Sequence, residues 1–178
     1  MHIRALTLIG GMALVASAAM ADGNPLAGLD IKPGLWEIQH KTSLNGQQLP
    51  DMQQIMASVP PGMRGQVEDM MKKNGAGLTE KGLSVCVTAE QIAKAEFAND
   101  PKGHCKTSDI KRNGNKLSLK MRCDDPKGEG ETEVIRINPE KWTSVTHMTI
   151  EEQGRPQAIN SEATGKWLGA DCGNIKPR

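Results

Sequence analysis

The sequence predicts a mainly β protein, an antiparallel meander of about seven strands that forms a curved sheet or an incomplete barrel. Residues 116–123 alternate apolar and polar side chains with a period of two, which is typical of a half-buried strand. The preceding Asn113-Gly114-Asn115 is the strongest hairpin signal in the chain. Similar strand patterns recur at intervals of roughly 8–15 residues, separated by turn residues, as expected of a meander.

Strand patterns cover most of the chain from residue 35 onward. In the first strand, Trp36 and Leu44 lie on the same side. We expect a polar turn at residues 124–130 and a C-terminal tail that is held only by Cys172. The seven strands are predicted at residues 35–44, 83–87, 105–112, 116–123, 131–137, 142–151 and 159–168.

Residues 47–82 form a methionine-rich insertion of a different kind, predicted to be helical. Asp51 is placed to cap a first helix that ends at Ser58, and a second helix is expected over residues 63–73. The glycine-rich residues 74–77 that follow are expected to act as a flexible hinge. The apolar side chains that recur at helical spacing are Met52, Ile55, Met56 and Val59 in the first helix and Met63, Val67, Met70 and Met71 in the second.

A third, short helix is predicted after residues 83–87. Thr88 and Gln91 have the spacing of a capping box, in which each side chain binds the backbone N–H of the other residue. We expect this helix to run to about Phe97, where Asn99, Asp100 and Pro101 end it.

The N-terminus has the features of a secretory signal peptide. A positive start that includes Arg4 precedes a short apolar stretch, and Ala19-Met20-Ala21 fits the small-x-small cleavage rule. We therefore expect residues 1–21 to be removed after Ala21. Residues 22–178 then form a single exported, periplasmic domain that contains the 47–82 insertion, and we expect it to be a monomer without a membrane span.

Four cysteines remain in the exported chain, and an even number in an oxidising compartment indicates disulfides. Three pairings are possible. We favour Cys86–Cys105 around the third helix and Cys123–Cys172 between the sheet and the tail. A metal site is a poorer reading, because no Cys-x-x-Cys motif occurs.

Composition argues against several classes of function. Arg4 is one of 22 basic residues, so the exported chain keeps 21, which balance its 21 acidic residues, and a nucleic-acid partner is not expected. One phenylalanine, three tryptophans and no tyrosine make a stacking platform difficult to build. No nucleophile, zinc, P-loop or dinucleotide motif occurs, so we expect neither an enzyme nor a cofactor.

Three segments together resemble the DUF3617 family of small exported bacterial proteins, whose function is not established. They are Pro33-Gly34-Leu35-Trp36-Glu37 with the two residues before it, Val85-Cys86-Val87-Thr88, and residues 165–172 up to Cys172. The family pattern ends in a Gly-Asp-Cys-like motif, whereas here Ala170 stands between Gly169 and Asp171. The resemblance implies a periplasmic protein with paired cysteines and implies no active site.

The methionine-rich insertion suggests two functions. In the first, the insertion covers a curved sheet, and the groove between them holds an apolar small molecule, a lipid-like group, or a peptide segment of an envelope protein. In the second, the thioether sulfurs of the methionine cluster bind copper; ordinary packing is the simpler alternative. The candidate ligand-binding residues are Met52, Met56, Met63, Val67, Met70, Met71, Trp36 and Trp142, and no metal site is predicted from His40, His104 and His147.

Overall fold

The protein is described here by a computed structural model, which covers residues 30–94 and 103–177. These residues form one antiparallel sheet of nine strands with three helices, so the predicted mainly β class is confirmed. The strands are β1 Gly34–Leu44, β2 Gln47–Gln48, β3 Ala76–Leu78, β4 Leu83–Val87, β5 Cys105–Asn113, β6 Lys116–Asp124, β7 Lys127–Asn138, β8 Lys141–Glu152 and β9 Arg155–Gly169.

The sheet is open, with β3 at one edge and β5 at the other. Strands β5 to β9 form a meander of consecutive hairpins, and β9 then pairs with β1. The order continues through β4 to β3, while the short β2 pairs with the end of β1. The sheet therefore does not close into a barrel.

The helices are α1 Met52–Ser58, α2 Pro61–Lys73 and α3 Ala89–Lys94. The predicted cap of α3 is present: the Thr88 N–H donates to Gln91 Oε1 at 2.8 Å, and the Gln91 N–H donates to Thr88 Oγ1 at 3.1 Å. The predicted continuation of this helix to Phe97, like the predicted signal peptide, lies outside the described residues. Among the described helices none is long and apolar enough to cross a bilayer.

The two faces of the sheet differ in chemistry. Residues of β1 alternate between them, and residues paired across strands share a face. We call the face of Trp36, Ile38 and Leu44 the tryptophan face, and the face that carries Glu37 the glutamate face. Leu83 and the other two apolar side chains of β4 lie on the tryptophan face.

The core is on the tryptophan face and is closed by the N-terminal segment. Trp36 and Leu117 are each only 1% exposed. Ile31 packs against Leu117 together with Leu119 and Val134. The Trp36 indole N–H donates to the Lys32 carbonyl oxygen at 2.9 Å, and the backbone N–H of Lys32 donates to the Pro139 carbonyl oxygen at 3.0 Å, so this segment is tied to β1 and to the turn between β7 and β8.

Trp36 and Trp142 share one core, with ring centroids 6.5 Å apart. Gly165 on the strand between them makes this possible. A Cβ atom at position 165 would lie only 2.1 Å from the Trp142 ring, so a side chain there would displace the indole.

The four cysteines form two disulfides, but the favoured pairing is wrong. Cys86 pairs with Cys172, and Cys105 pairs with Cys123. Cys105 and Cys123 face each other across the β5–β6 hairpin, with Cα atoms 3.9 Å apart. A bulge at residues 109–110 shifts the register by one residue, and without it Cys105 would face Asp124.

Three predictions about loops are also corrected. Residues 74–77 are not a hinge, because Ala76 and Gly77 pair with Val85 and Ser84 as a buried edge strand. The expected turn at 124–130 shrinks to two residues, since β7 already begins at Lys127. The tail is held by more than Cys172. Ile175 contacts Gly77, where a Cβ atom would lie 2.7 Å from the Ile175 Cδ1.

Candidate functional site

The first helix of the insertion is fixed by its N-terminal cap. Asp51 Oδ1 accepts the backbone N–H of Gln54 at 2.8 Å, and the Gln54 side chain accepts the backbone N–H of Asp51 at 3.0 Å. This reciprocal pair satisfies two backbone donors that a helix start leaves free. The predicted helix from the Asp51 cap to Ser58 is confirmed.

The second helix is joined to the first by Arg64. Pro61 is the first residue of α2. Proline has no backbone N–H, but the N–H at this position would have no acceptor within the helix, so no hydrogen bond is lost. The Arg64 guanidinium donates from Nε to the Val59 carbonyl oxygen at 3.1 Å and from Nη2 to the Ala57 carbonyl oxygen at 3.4 Å. These bonds satisfy carbonyl groups at the end of α1 and hold the corner between the helices.

A small groove separates α1 from the tryptophan face of the sheet. Its volume is about 170 Å³. Gln53, which is half-buried, donates from Nε2 to the Thr79 carbonyl oxygen at 3.0 Å and so ties α1 to the turn between β3 and β4. The groove is lined by Pro50, Met52 and Ile55 on the helix side and by Ile38, Thr42 and Leu83 of the sheet. Asp51, Gln53, His40, Lys81 and Gly82 also line it.

The eight candidate ligand-binding residues do not converge on this groove. Met52 lines it, and Met56 lies one turn further along α1, half-buried. On α2, Met63 and Met70 are 52% and 58% exposed, while Val67 and Met71 are half-buried. The structure therefore places the methionines along two helices.

The two tryptophan candidates have a structural role. Trp36 is enclosed on all sides and Trp142 is half-buried against it. Neither residue lines the groove beside α1. Trp36 acts as a core anchor.

A larger depression of about 470 Å³ lies on the glutamate face across β5 to β8. Its charges are largely paired: Lys120 Nζ lies 3.5 Å from Asp109 Oδ2, and Glu133 Oε2 lies 2.5 Å from Lys116 Nζ. These pairs are solvent-exposed and contribute little energy. We therefore regard the smaller apolar groove, rather than the larger charged depression, as the candidate site.

The described histidines of the sheet lie on different faces. His147 Nδ1 lies 2.6 Å from Asn160 Oδ1 on the glutamate face, whereas His40 lines the groove beside α1. Across residues 30–94 and 103–177, no three His, Cys, Asp or Glu side chains are grouped to hold a metal ion.

Glu37 is a residue that sequence reasoning missed. Its side chain is only 9% exposed, although it is a carboxylate. The Thr79 hydroxyl donates a hydrogen bond that lowers the pKa of Glu37; desolvation opposes this shift, and Gln39, Lys166 and Lys81 lower the pKa further. Thr79 also accepts the Gln53 amide, so Glu37 belongs to the network that positions α1.

The role of Gln54 in capping α1 was also missed from the sequence, although its spacing from Asp51 is that of a capping box. The role of Arg64 had no comparable local signal. Its bonds reach five and seven residues back, across the break at Pro60.

Fold and site together define a β-sheet protein with a helical insertion over an apolar groove. The chain belongs to the DUF3617 family, because residues 31–172 match the family model described as "Protein of unknown function (DUF3617)". A Pseudomonas putida protein named "Uncharacterized protein in lpd-3 5'region" is 30% identical over 106 residues, which cover 57% of this chain and 75% of that relative. No solved structure matches the chain.

Proposed function

We propose that this protein is a non-enzymatic binding protein of the bacterial periplasm. It holds an apolar ligand, which is a small molecule, a lipid-like group or a peptide segment, between the α1–α2 insertion and the tryptophan face of the sheet. The signal-peptide pattern of residues 1–21 and the two disulfides support an exported location, because disulfides persist in oxidising compartments.

One observation carries this proposal: neither α1 nor α2 contains a buried residue, although four of the seven residues of α1 are apolar and α2 carries Met63, Val67, Met70 and Met71. Helices this short are marginal on their own and normally gain their stability by packing an apolar face. Here the Asp51 cap and the Gln53 bond to Thr79 hold α1 in place, and Arg64 joins α2 to it. As a result Ile55, Met63 and Met70 stay between 45% and 58% exposed on helices that are held in place, which makes them available to a ligand.

The groove beside α1 defines where the ligand enters. Drug-sized ligands need pockets of roughly 300–1,000 Å³, so a groove of about 170 Å³ admits only a small apolar group or one end of a longer ligand. Ile38 and Leu83 provide an apolar floor, and Ile55, which is 45% exposed, provides the outer wall.

A fluorescence titration with N-phenyl-1-naphthylamine, an apolar probe, tests the proposal. In Ile55→Asp the carboxylate stands in the groove, so the probe should bind at least tenfold more weakly than to the unmodified protein. Ile137→Asp is the matched control, because Ile137 is 55% exposed and lies on β7, away from the insertion. Equal probe affinity in all three proteins would exclude a site at α1.

Copper handling remains the second candidate, and the exposure of Met63 and Met70 favours it, since their sulfur atoms are accessible. These two are seven residues apart on α2, which separates them by roughly 10 Å along the helix. Each of them would therefore need other methionines of the insertion as its partners to bind a Cu(I) ion. Replacing Met52, Met56, Met63, Met70 and Met71 by leucine should abolish Cu(I) binding if this function is correct, and an unchanged Cu(I) affinity rejects it.

A further inference from the structure

We propose that the groove beside α1 selects a monocarboxylic acid with a short apolar chain, with the chain on the apolar floor and the carboxylate between His40 and Lys81. This inference rests on the proposed function and names its ligand class. The groove contains polar side chains besides its apolar ones, and their partners differ in a way that specifies the ligand.

Three of the five polar side chains that line the groove are engaged within the protein. Asp51 Oδ1 accepts a backbone N–H at the start of α1 at 2.8 Å, and Gln53 Nε2 donates to the Thr79 carbonyl oxygen at 3.0 Å. Thr42 Oγ1 lies 3.2 Å from Ser161 Oγ. These three groups therefore position α1 and join β1 to β9, and none of them needs a ligand as a partner.

The other two polar side chains, His40 and Lys81, are basic. Neither the imidazole nor the ammonium group has a hydrogen bond or an ion pair within residues 30–94 and 103–177. The Thr79 hydroxyl and, to a smaller extent, Lys81 lower the pKa of Glu37, but Glu37 lies on the opposite face of the sheet. The groove therefore presents two basic groups that a ligand can satisfy.

The two basic residues lie opposite each other beside the apolar floor. His40 follows Ile38 by two residues on β1, so both side chains are on the tryptophan face. Leu83 pairs with Ile38, and continuing this antiparallel register by two residues brings Lys81 opposite His40. The turn that carries Lys81 is close to β1, because a Cβ atom at Gly82 would lie only 2.2 Å from the Ile38 carbonyl oxygen.

An anion satisfies two adjacent basic groups better than a neutral ligand does. A carboxylate accepts one hydrogen bond from the ammonium group and a second from an imidazole N–H, and such charge-assisted bonds are stronger than bonds between neutral groups. The hydrocarbon chain of the acid then covers Ile38 and Leu83, which need only apolar contact. The polar and apolar parts of the groove therefore match the two parts of an apolar acid.

The volume of the groove limits the length of the chain. A groove of about 170 Å³ has the volume of roughly six water molecules at ~30 Å³ each. Butanoic acid has a similar number of non-hydrogen atoms, and the longer chain of hexanoic acid extends along Ile55, which is 45% exposed. We therefore expect acids from butanoic to hexanoic acid to fill the groove.

NMR chemical-shift titration with hexanoate, hexanamide and hexylammonium, which share one chain, tests the inference at neutral pH. Hexanoate should bind at least threefold more tightly than hexanamide, because an exposed ion pair contributes up to about fivefold in affinity, and hexylammonium should bind most weakly. Lys81→Gln should reduce hexanoate affinity at least threefold and leave hexanamide affinity within twofold. Lys41→Gln, which removes the same charge from the glutamate face of β1, should change neither.

The pKa of His40 gives a second readout that needs no variant. Burial lowers this pKa, and a carboxylate held beside the imidazole stabilises its protonated form. Hexanoate should therefore raise the pKa of His40, whereas hexanamide should not, and His147 on the glutamate face is the internal reference. Asp51 and Lys81, the charged residues that line the groove with His40, are present in both titrations. An unchanged pKa of His40 in saturating hexanoate contradicts the placement of the carboxylate.

The outcomes separate the inference from the proposed function. Equal affinity for hexanoate and hexanamide, or a preference for the acid that Lys81→Gln leaves unaltered, overturns the acid while apolar probe binding at Ile55 still stands. Tightest binding of hexylammonium assigns the selectivity to Asp51 and also overturns it. Binding of N-acetylglycylleucine, which has a peptide carboxylate, without binding of hexanoate overturns it too. So does an absence of binding by all three ligands when the probe still binds and Ile55→Asp still weakens that binding.

Discussion

The disulfide pairing makes a quantitative prediction about stability. Cys86–Cys172 closes a loop of 86 residues, and Cys105–Cys123 closes one of 18. The chain-entropy relation gives about 4.6 kcal/mol for the longer loop and about 3.2 kcal/mol for the shorter. The double variant Cys86→Ser/Cys172→Ser should therefore be less stable than Cys105→Ser/Cys123→Ser by about 1.4 kcal/mol.

Urea unfolding followed by circular dichroism measures this difference, and thiol titration of the unfolded variants checks the pairing itself. With the observed pairing, each double variant keeps one intact disulfide and has no free thiol. With Cys86–Cys105 and Cys123–Cys172, each would lose both bridges and expose two thiols. Two free thiols per chain, or a larger loss for the short loop, would refute the reasoning.

Three further predictions concern the core, one buried carboxylate and the α1 cap. Leu117→Ala should lower the free energy of unfolding by about 2–5 kcal/mol, because Leu117 is fully buried. Ile137→Ala, at an exposed position, should lower it by less than about 0.5 kcal/mol. Similar losses for the two variants in urea unfolding would contradict the assignment of the core. The hydrogen bond from Thr79 lowers the pKa of Glu37 in the folded protein. Ionised Glu37 therefore stabilises the fold above about pH 4.3, the ordinary pKa of glutamate. This contribution to stability is lost as the pH falls through the lower pKa of the folded state. The stability difference between the unmodified protein and Glu37→Gln should therefore shrink in acid, and a difference independent of pH would count against the bond. Asp51→Ala should weaken α1 by about 1 kcal/mol and speed amide exchange in the helix about fivefold; because α1 has no buried residue, the global unfolding midpoint should hardly move, and unchanged exchange would contradict the cap.

The meander could be predicted because its information is local. Period-two alternation in β6 and the turn at Asn113-Gly114 specify a hairpin without reference to the rest of the chain. The caps at Asp51 and Thr88 are local in the same way. Each of these features was confirmed where the structure describes it.

The disulfides could not be assigned in this way, because pairing depends on register and on distant neighbours. The β5 bulge that brings Cys105 opposite Cys123 has no sequence pattern that we recognised. Cys172 reaches Cys86 because β9 lies beside β1, which in turn lies beside β4. Strand β7 was predicted too short for a related reason: Gly128 and Gly130 have no apolar side chain to reveal the alternation.

The candidate site was predicted only as a segment. Helical spacing identified the apolar side chains of the insertion, but it did not show which of them face the sheet. Met52 and Ile55 line the groove while Met63 and Met70 point to solvent, a result of how Gln53 and Arg64 anchor the two helices.

Native mass spectrometry of the protein released gently from the periplasm tests the central claim most directly. The claim predicts an organic adduct on the unmodified protein and on Ile137→Asp, and its loss from Ile55→Asp. An adduct of copper mass that disappears when the five methionines become leucine would support copper handling instead. An organic adduct retained by Ile55→Asp, or the bare chain mass for every variant, would contradict an apolar ligand held between the insertion and the sheet.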